Sequence, residues 1–139
     1  MSLRTKRIYD PPAAGDGHRL LVMRFWPRGV RKERVDAWDR GLAPSRELLT
    51  DLRSEAIDWV TYTRRFHWEM AHRDDAVAAF ASLAQRAETE TVTLLCWCHD
   101  ETRCHRTLLK ALIEDAASVG AHGVGVRVGS GARRGARLP

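Results

Sequence analysis

The run Thr91-Val-Thr-Leu-Leu-Cys-Trp97 consists of β-branched and apolar residues and therefore predicts a buried strand, around which the rest of the fold is built. After a short polar loop, apolar residues return at helical spacing and predict a helix that Asp100 or Thr102 can cap. The buried side of that helix would carry Leu108, Leu109, Leu112, Ile113 and Ala116. A buried strand that leads into a helix is the repeating unit of α/β proteins.

The rest of the chain continues this alternation. The run Arg19-Leu-Leu-Val-Met-Arg24 predicts a second strand, which the proline and glycine of Phe25-Trp-Pro-Arg-Gly29 end. Further predicted elements are short strands over Thr5–Asp10 and Val124–Val128, a short helix over Arg31–Gly41, a helix capped by Ser45, a helix from Glu55 to about His72, and a helix that starts at Asp74 or Asp75. We therefore expect an α/β fold with a largely parallel sheet of about three to five strands and helices on both faces.

Length and charge predict one domain and a basic tail. The chain has 139 residues, and we place a single small domain at residues 1–120. Residues 121–139 form a Gly- and Arg-rich tail that we expect to be partly disordered. This tail supplies most of the net charge of +5, since four arginines and no acidic residue follow Asp115. Any contact with nucleic acid would therefore be weak and confined to the tail.

Two features of the sequence predict its compartment. The apolar stretches are far shorter than the roughly 20 residues of a membrane span, and the N-terminal residues lack the apolar core of a secretory signal. Three cysteines, an odd number, fit a reducing environment better than a disulfide framework. We expect a cytoplasmic protein that does not contact membranes, while the sequence predicts no oligomeric state.

The densest group of chemically active residues lies around the end of the predicted strand at Thr91–Trp97. Cys96 and Cys98 would point to the same face of an extended chain, and Cys104 would fall in the first turn of the next helix. The amides of that turn, with Arg103, His105 and Arg106 nearby, would lower the pKa of a thiol. Cys104 is therefore the expected thiolate, and His105 is its expected catalytic partner.

Three interpretations of these cysteines remain open. In the first, Cys96 is a buried small hydrophobe and the loop histidines have no chemical role. In the second, Cys96, Cys98, Cys104 and His105 bind zinc, although their spacing differs from the common zinc-finger spacings. In the third, one thiol is reactive. The sequence requires no cofactor, so zinc is the alternative rather than the expectation.

A second loop predicts a binding site for an anion. Arg24 and Arg28 flank Trp26 and Pro27 and form a potential fork for a phosphate or carboxylate, with Trp26 as a stacking platform. The competing interpretation is that Asp36 or Asp39 pairs with Arg24 and that Trp26 covers the edge of the core. In parallel α/β sheets, ligands bind outside the carboxyl ends of the strands, where this loop and the cysteine loop would both lie.

Several strings of the sequence together resemble one known family. They are Lys6-Arg-Ile-Tyr-Asp-Pro-Pro12, Asp16-Gly-His-Arg-Leu-Leu-Val22, Arg24-Phe-Trp-Pro-Arg-Gly-Val30, Leu42-Ala-Pro-Ser45, the helix from Trp59 to Glu69, Val92-Thr-Leu-Leu-Cys96 and Cys104-His-Arg106. In this order they resemble the YeaO-like branch of the domain-of-unknown-function 488 family. The resemblance implies a small bacterial α/β protein but supplies no reaction. It also implies a hallmark Cys-His-Arg string, here Cys104 to Arg106.

We therefore expect the two loops to form one site for a small anionic or nucleotide-like molecule. Arg24, Trp26, Arg28 and Arg106 are the expected ligand-binding residues. Thiol chemistry at Cys104 and His105 is compatible with this site, but the sequence does not decide whether the protein is an enzyme. The alternative is a regulatory or interaction module whose cysteines are structural or bind zinc.

Overall fold

A computed structural model describes residues 1–123 as a single α/β domain. In these residues the strands are β1 (Ser2–Arg7), β2 (His18–Leu21), β3 (Ala37–Trp38) and β4 (Thr91–Cys96), and the α-helices are α1 (Arg46–Arg53), α2 (Trp59–Ala71), α3 (Asp74–Arg86) and α4 (His105–Gly123). All strand pairs are parallel, in the order β1-β4-β2-β3. The predicted fold class and parallel sheet are confirmed. The predicted strand over Val124–Val128 and nearly all of the tail lie outside the described residues.

Strand β4 lies inside the sheet and determines where its two neighbouring strands lie. It pairs with β1 on one side and with β2 on the other, so that β2 and β4 are parallel neighbours. Val92, Leu94 and Cys96 belong to the large core beneath the helices, as the alternation of side chains along a strand requires. The helices contribute to this core mainly through Leu48, Phe66, Phe80, Leu83, Leu109 and Ile113.

The second face of the sheet has a thinner cover. Ile8, Leu21 and Leu95 form a separate small cluster, against which Trp26, Val30 and Val35 pack. The helical layer expected on this face is reduced, within residues 1–123, to loops and two 3-10 turns, Ala14–Asp16 and Lys32–Arg34. The face still excludes water, which an all-parallel sheet requires.

Some predicted boundaries and one predicted element are wrong. The segment Arg31–Gly41 contains two 3-10 turns and the short strand β3 instead of one helix. The backbone amides of Asp36 and Asp39 donate to carbonyl oxygens of Arg19 and Leu21, which commits this segment to the sheet. Strand β1 ends earlier than predicted because its register follows β4. By contrast, Ser45 caps α1 as predicted, by accepting from the amide of Leu48 at 3.1 Å.

No helix in residues 1–123 is long and apolar enough to cross a membrane.

The approach of the chain to β2 depends on a glycine. Gly17 has a φ of +63°, and a Cβ there would lie 2.1 Å from the carbonyl oxygen of Thr91, where β4 begins. Gly29 also has a positive φ, +78°, but a Cβ there would meet no described atom within 4 Å. A substitution at Gly29 would therefore cause backbone strain alone, whereas one at Gly17 would cause both strain and a steric collision.

We predict that Gly17→Ala lowers the free energy of unfolding by about 3 kcal/mol, because a left-handed alanine and a collision with backbone both cost energy. Gly29→Ala, the matched control, should lose only about 1 kcal/mol through the strain of its positive φ. Urea unfolding of both variants measures the difference. Equal losses would show that β2 and β4 do not approach as closely as described.

Candidate functional site

The loops that follow β2 and β4 meet in one cavity of about 330 Å³. Arg24 and Arg28 reach it from the first loop, and Cys98 and Arg103 reach it from the second. They meet because β2 and β4 are adjacent and parallel, so their carboxyl ends lie at the same edge of the sheet. Helices α1 and α2 close the cavity with Leu49, Leu52, Arg53 and Tyr62.

Three cysteines converge at the inner end of this cavity. The sulfurs of Cys96 and Cys98 are 3.8 Å apart, and the sulfur of Cys104 is 4.0 Å from Nδ1 of His105. The ligand atoms of Cys96, Cys104 and His105 all lie within 4.8 Å of one another. Cys96 and Cys104 are buried, whereas Cys98 is half-buried, and all three are free thiols. We call these four residues, Cys96, Cys98, Cys104 and His105, the sulfur cluster.

His105 joins the two loops. It is the first residue of α4, and its Nε2 lies 2.6 Å from the carbonyl oxygen of Val22, directly after β2. A carbonyl only accepts hydrogen bonds, so Nε2 carries the proton and Nδ1 presents its lone pair towards Cys104. Burial lowers the pKa of His105 and favours the neutral ring.

Arg106 lies behind the cluster rather than in the cavity. It is 2% exposed, and its Nη1 donates to the carbonyl oxygen of Cys98 at 3.0 Å and to the sulfur of Cys104 at 3.6 Å. No described carboxylate forms an ion pair with it. A buried guanidinium needs a compensating negative charge, which the sulfurs of the cluster are placed to supply. Arg106, expected from the sequence as a ligand contact, is not among the described residues that line the cavity and lies instead beside the sulfur of Cys104.

The contacts among the sulfurs favour the thiolate form at Cys98 over that at Cys104, the thiolate expected from the sequence. Hydrogen bonds from the thiols of Cys104 and Cys96 hold the pKa of Cys98 far below its usual range. The contacts of Cys104 with the sulfurs of Cys96 and Cys98, together with burial, raise the pKa of Cys104. For Cys96, the contact with Cys104 lowers the pKa. The contact with Cys98 and burial both raise it and outweigh that effect, so the pKa of Cys96 is raised to about 11. Cys104 precedes α4 instead of lying in its first turn, and it is only 2% exposed.

The three expected ligand-binding residues of the first loop differ in how much of each side chain is available to a ligand. Arg24 lines the cavity and donates from Nε to the carbonyl oxygen of Pro44 at 2.6 Å, so neither of the expected aspartates holds it. Arg28 is exposed at the cavity. Trp26 borders the cavity, but its Nε1 donates to Val30 and its ring packs edge-on against Trp38. Its indole is therefore committed to the second face of the sheet, which leaves little of it for stacking on a ligand.

Sequence reasoning missed three residues of the site. Arg53 ends α1 and places its guanidinium over the ring of Trp97, 5.9 Å from the ring centre. The sequence predicts Arg103 only as a neighbour of Cys104, and it places Tyr62 in the predicted helix from Glu55 to about His72 without a role at the site. Burial raises the pKa of the Tyr62 hydroxyl, which stays protonated beside the sulfurs. Only the packing of α1 and α2 against the end of β4 reveals that these side chains share the cavity.

A family model described as the active DUF488-N3 subclade matches residues 3–117. The chain belongs to the DUF488 family. The match includes both strand-end loops, the sulfur cluster and Arg106. The predicted family is confirmed.

Relatives of this DUF488 protein occur in several bacteria. The chain is 33% identical over 111 residues to the uncharacterized protein YeaO of Escherichia coli, which covers 78% of this chain and 94% of the relative. It is 31% identical over 113 residues to the uncharacterized protein Rv3073c of Mycobacterium tuberculosis and to Mb3100c of Mycobacterium bovis, with 80% of this chain and 92% of each relative covered. No solved structure is significantly similar to the chain.

We predict that Arg106→Met lowers the free energy of unfolding by about 3 kcal/mol, because it removes the buried cation that faces the sulfur cluster. Arg103→Met is the matched control on the preceding turn. Since Arg103 is exposed, its replacement should change stability by no more than about 0.5 kcal/mol. Urea unfolding measures the free energy of unfolding of both variants, provided that its dependence on urea concentration has the same slope as in the unaltered chain. Similar small losses for the two would contradict the buried position of Arg106.

Proposed function

We propose that the cavity binds a small anionic ligand with an apolar or aromatic part, such as a nucleotide, next to the sulfur cluster. One observation carries this proposal: among residues 1–123, four arginines and no carboxylate line the cavity. They are Arg24, Arg28, Arg53 and Arg103. Guanidinium groups bind phosphate and carboxylate oxygens in pairs, and the absence of acids from the wall removes the main source of repulsion.

The remaining walls fit the uncharged part of such a ligand. Phe25, Pro27, Leu49, Leu52 and Trp97 are the principal apolar contributors. The volume lies at the lower end of the range for small-molecule sites, about 300–1,000 Å³. A compact ligand with one flat apolar group and one anionic group matches this division of the surface.

Two of the aromatic rings also restrain arginines. The guanidinium of Arg53 lies over Trp97, and that of Arg46 lies over Phe25, 5.4 Å from the ring centre. Stacking of this kind limits the rotamers of a long side chain and lowers the entropic cost of binding. We infer that Arg53 is a more effective anion contact than the freely exposed Arg28.

The sulfur cluster adds a potential chemical role. Thiolates are nucleophiles, and Cys98 is the least buried sulfur at the cavity wall. Cys104 and His105, the catalytic pair expected from sequence, would then support Cys98 from the buried side. The description of the matching subclade as active supports chemistry at this site. We further infer a cytoplasmic location, since free thiols persist in reducing compartments.

The test uses adenosine monophosphate as probe, with adenosine and inorganic phosphate as its two halves. We predict that calorimetric titration of the full chain shows binding of the monophosphate and weaker binding of either half. Arg53→Gln should weaken binding about tenfold, which corresponds to about 1.4 kcal/mol. Arg28→Gln should weaken it less.

Arg64→Gln provides a matched control, because Arg64 is exposed on α2 and does not line the cavity. It removes the same charge and should leave the affinity unchanged. Equal weakening by Arg53→Gln and Arg64→Gln would reveal a general charge effect and would contradict the proposal. Failure of the monophosphate and of both of its halves to bind would also contradict it.

A further inference from the structure

We propose that the sulfur cluster is a zinc site in which Cys96, Cys104 and His105 hold the ion and Cys98 is the fourth, exchangeable ligand. This inference concerns the inner end of the cavity and needs no anionic ligand there. The side chains come from the end of β4, the following loop and the start of α4, so the fold brings them together without a zinc-finger spacing.

Two separations in the cluster, Cys96 to Cys98 and Cys104 to His105, are close to those of a tetrahedral site. With Zn–S bonds of about 2.3 Å, two sulfurs of a tetrahedron lie about 3.8 Å apart. This is the separation of Cys96 and Cys98. A sulfur and a nitrogen at Zn–N of about 2.0 Å lie about 3.5 Å apart. The 4.0 Å between Cys104 and His105 would have to shorten by about half an ångström, which small side-chain rotations permit.

The ring of His105 is already oriented as a zinc ligand. Histidines that bind zinc usually donate their other ring N–H to a carbonyl or carboxylate, which fixes the tautomer and the direction of the lone pair. The bond from Nε2 to the carbonyl of Val22 does this and leaves Nδ1 for the ion. The imidazole is 5% exposed, so little solvent competes for that lone pair.

A bound zinc ion would also balance the charges of the thiolates and of the buried Arg106 guanidinium. Three thiolates and Zn²⁺ carry a net charge of −1, and the buried guanidinium of Arg106 supplies the opposite charge. Its Nη1 lies 3.6 Å from the sulfur of Cys104, where it can donate to a ligand thiolate without binding the ion. This accounts for a buried arginine that has no described carboxylate partner.

The donor set selects the kind of metal. Thiolate sulfur with imidazole nitrogen favours zinc over magnesium or calcium, which prefer oxygen. The half-buried Cys98 faces the cavity, so its coordination position is the one that solvent or a ligand reaches. Catalytic zinc sites keep one such open position beside three protein ligands.

The test measures metal in the full chain after purification without chelator and dialysis against metal-free buffer. We expect one zinc per chain by elemental analysis. Replacement with Co²⁺ should produce the visible bands of tetrahedral cobalt and near-ultraviolet charge-transfer bands from sulfur. Cys96→Ser and Cys104→Ser should lose stoichiometric binding. Cys98→Ser should keep the ion and lose about a third of the charge-transfer intensity, since one of three sulfurs is removed.

His99→Ala is the matched control, because His99 is an exposed histidine of the same loop. It should bind cobalt like the unaltered chain. Absence of zinc together with absence of tetrahedral cobalt bands would overturn the proposal, as would full binding by both buried-cysteine variants. If a buried-cysteine variant fails to fold, Cys98→Ser still tests the proposal. Unchanged charge-transfer intensity in this variant would exclude Cys98 as a ligand and overturn the proposed ligand set. Binding of adenosine monophosphate is scored on arginine variants, so the two proposals can fail separately.

Discussion

The hydrogen bond from Nε2 of His105 to the carbonyl of Val22 is the contact on which the site depends. It is buried and joins residues 83 positions apart in the chain. One end fixes the first residue of α4, and the other fixes the residue that follows β2. The bond therefore connects the end of β2, from which the loop with the arginines starts, directly to the helix that follows the loop with the cysteines. The same bond sets the tautomer of His105 and therefore directs a lone pair at the sulfurs.

The sheet order makes this contact possible. Strand β4 lies between β1 and β2, and its last residue, Cys96, accepts a backbone bond from Ile8 while Leu95 accepts one from Val22. Both neighbours therefore continue to the end of β4 and hold its final sulfur in place. The arginines then gather around an apolar opening, and Arg106 is enclosed behind the sulfurs. Positive charge thus surrounds the cluster from the cavity and from the core.

Local sequence patterns predicted the parts that depend on local physics. The β-branched run before Cys96 defined β4, Ser45 defined the start of α1, and the apolar run at Leu20 defined β2. The adjacency of the two loops also followed from the parallel sheet. Arg31–Gly41 was mispredicted as a helix because its charged composition carries no sign of the bonds that its backbone makes to β2.

The distribution of charge within the site could not be predicted in the same way. The position of Cys104 near a helix start suggested a low pKa, but its contacts with the other sulfurs and its burial act in the opposite direction. Arg106 looked like a ligand contact, yet side-chain packing encloses it. Trp26 looked like a platform, yet its ring completes the core on the second face. Each of these outcomes depends on which neighbours the tertiary structure brings within a few ångströms.

His105 joins the loops through Nε2–H and keeps Nδ1 unprotonated beside the sulfurs. Nitrogen-15 NMR of the imidazole at neutral pH tests this arrangement, because protonated and unprotonated ring nitrogens differ widely in chemical shift. We expect a protonated Nε2 whose hydrogen couples to the carbonyl of Val22, and an Nδ1 without hydrogen. A protonated Nδ1 would contradict it, since that nitrogen could then present no lone pair to the sulfurs or to a zinc ion.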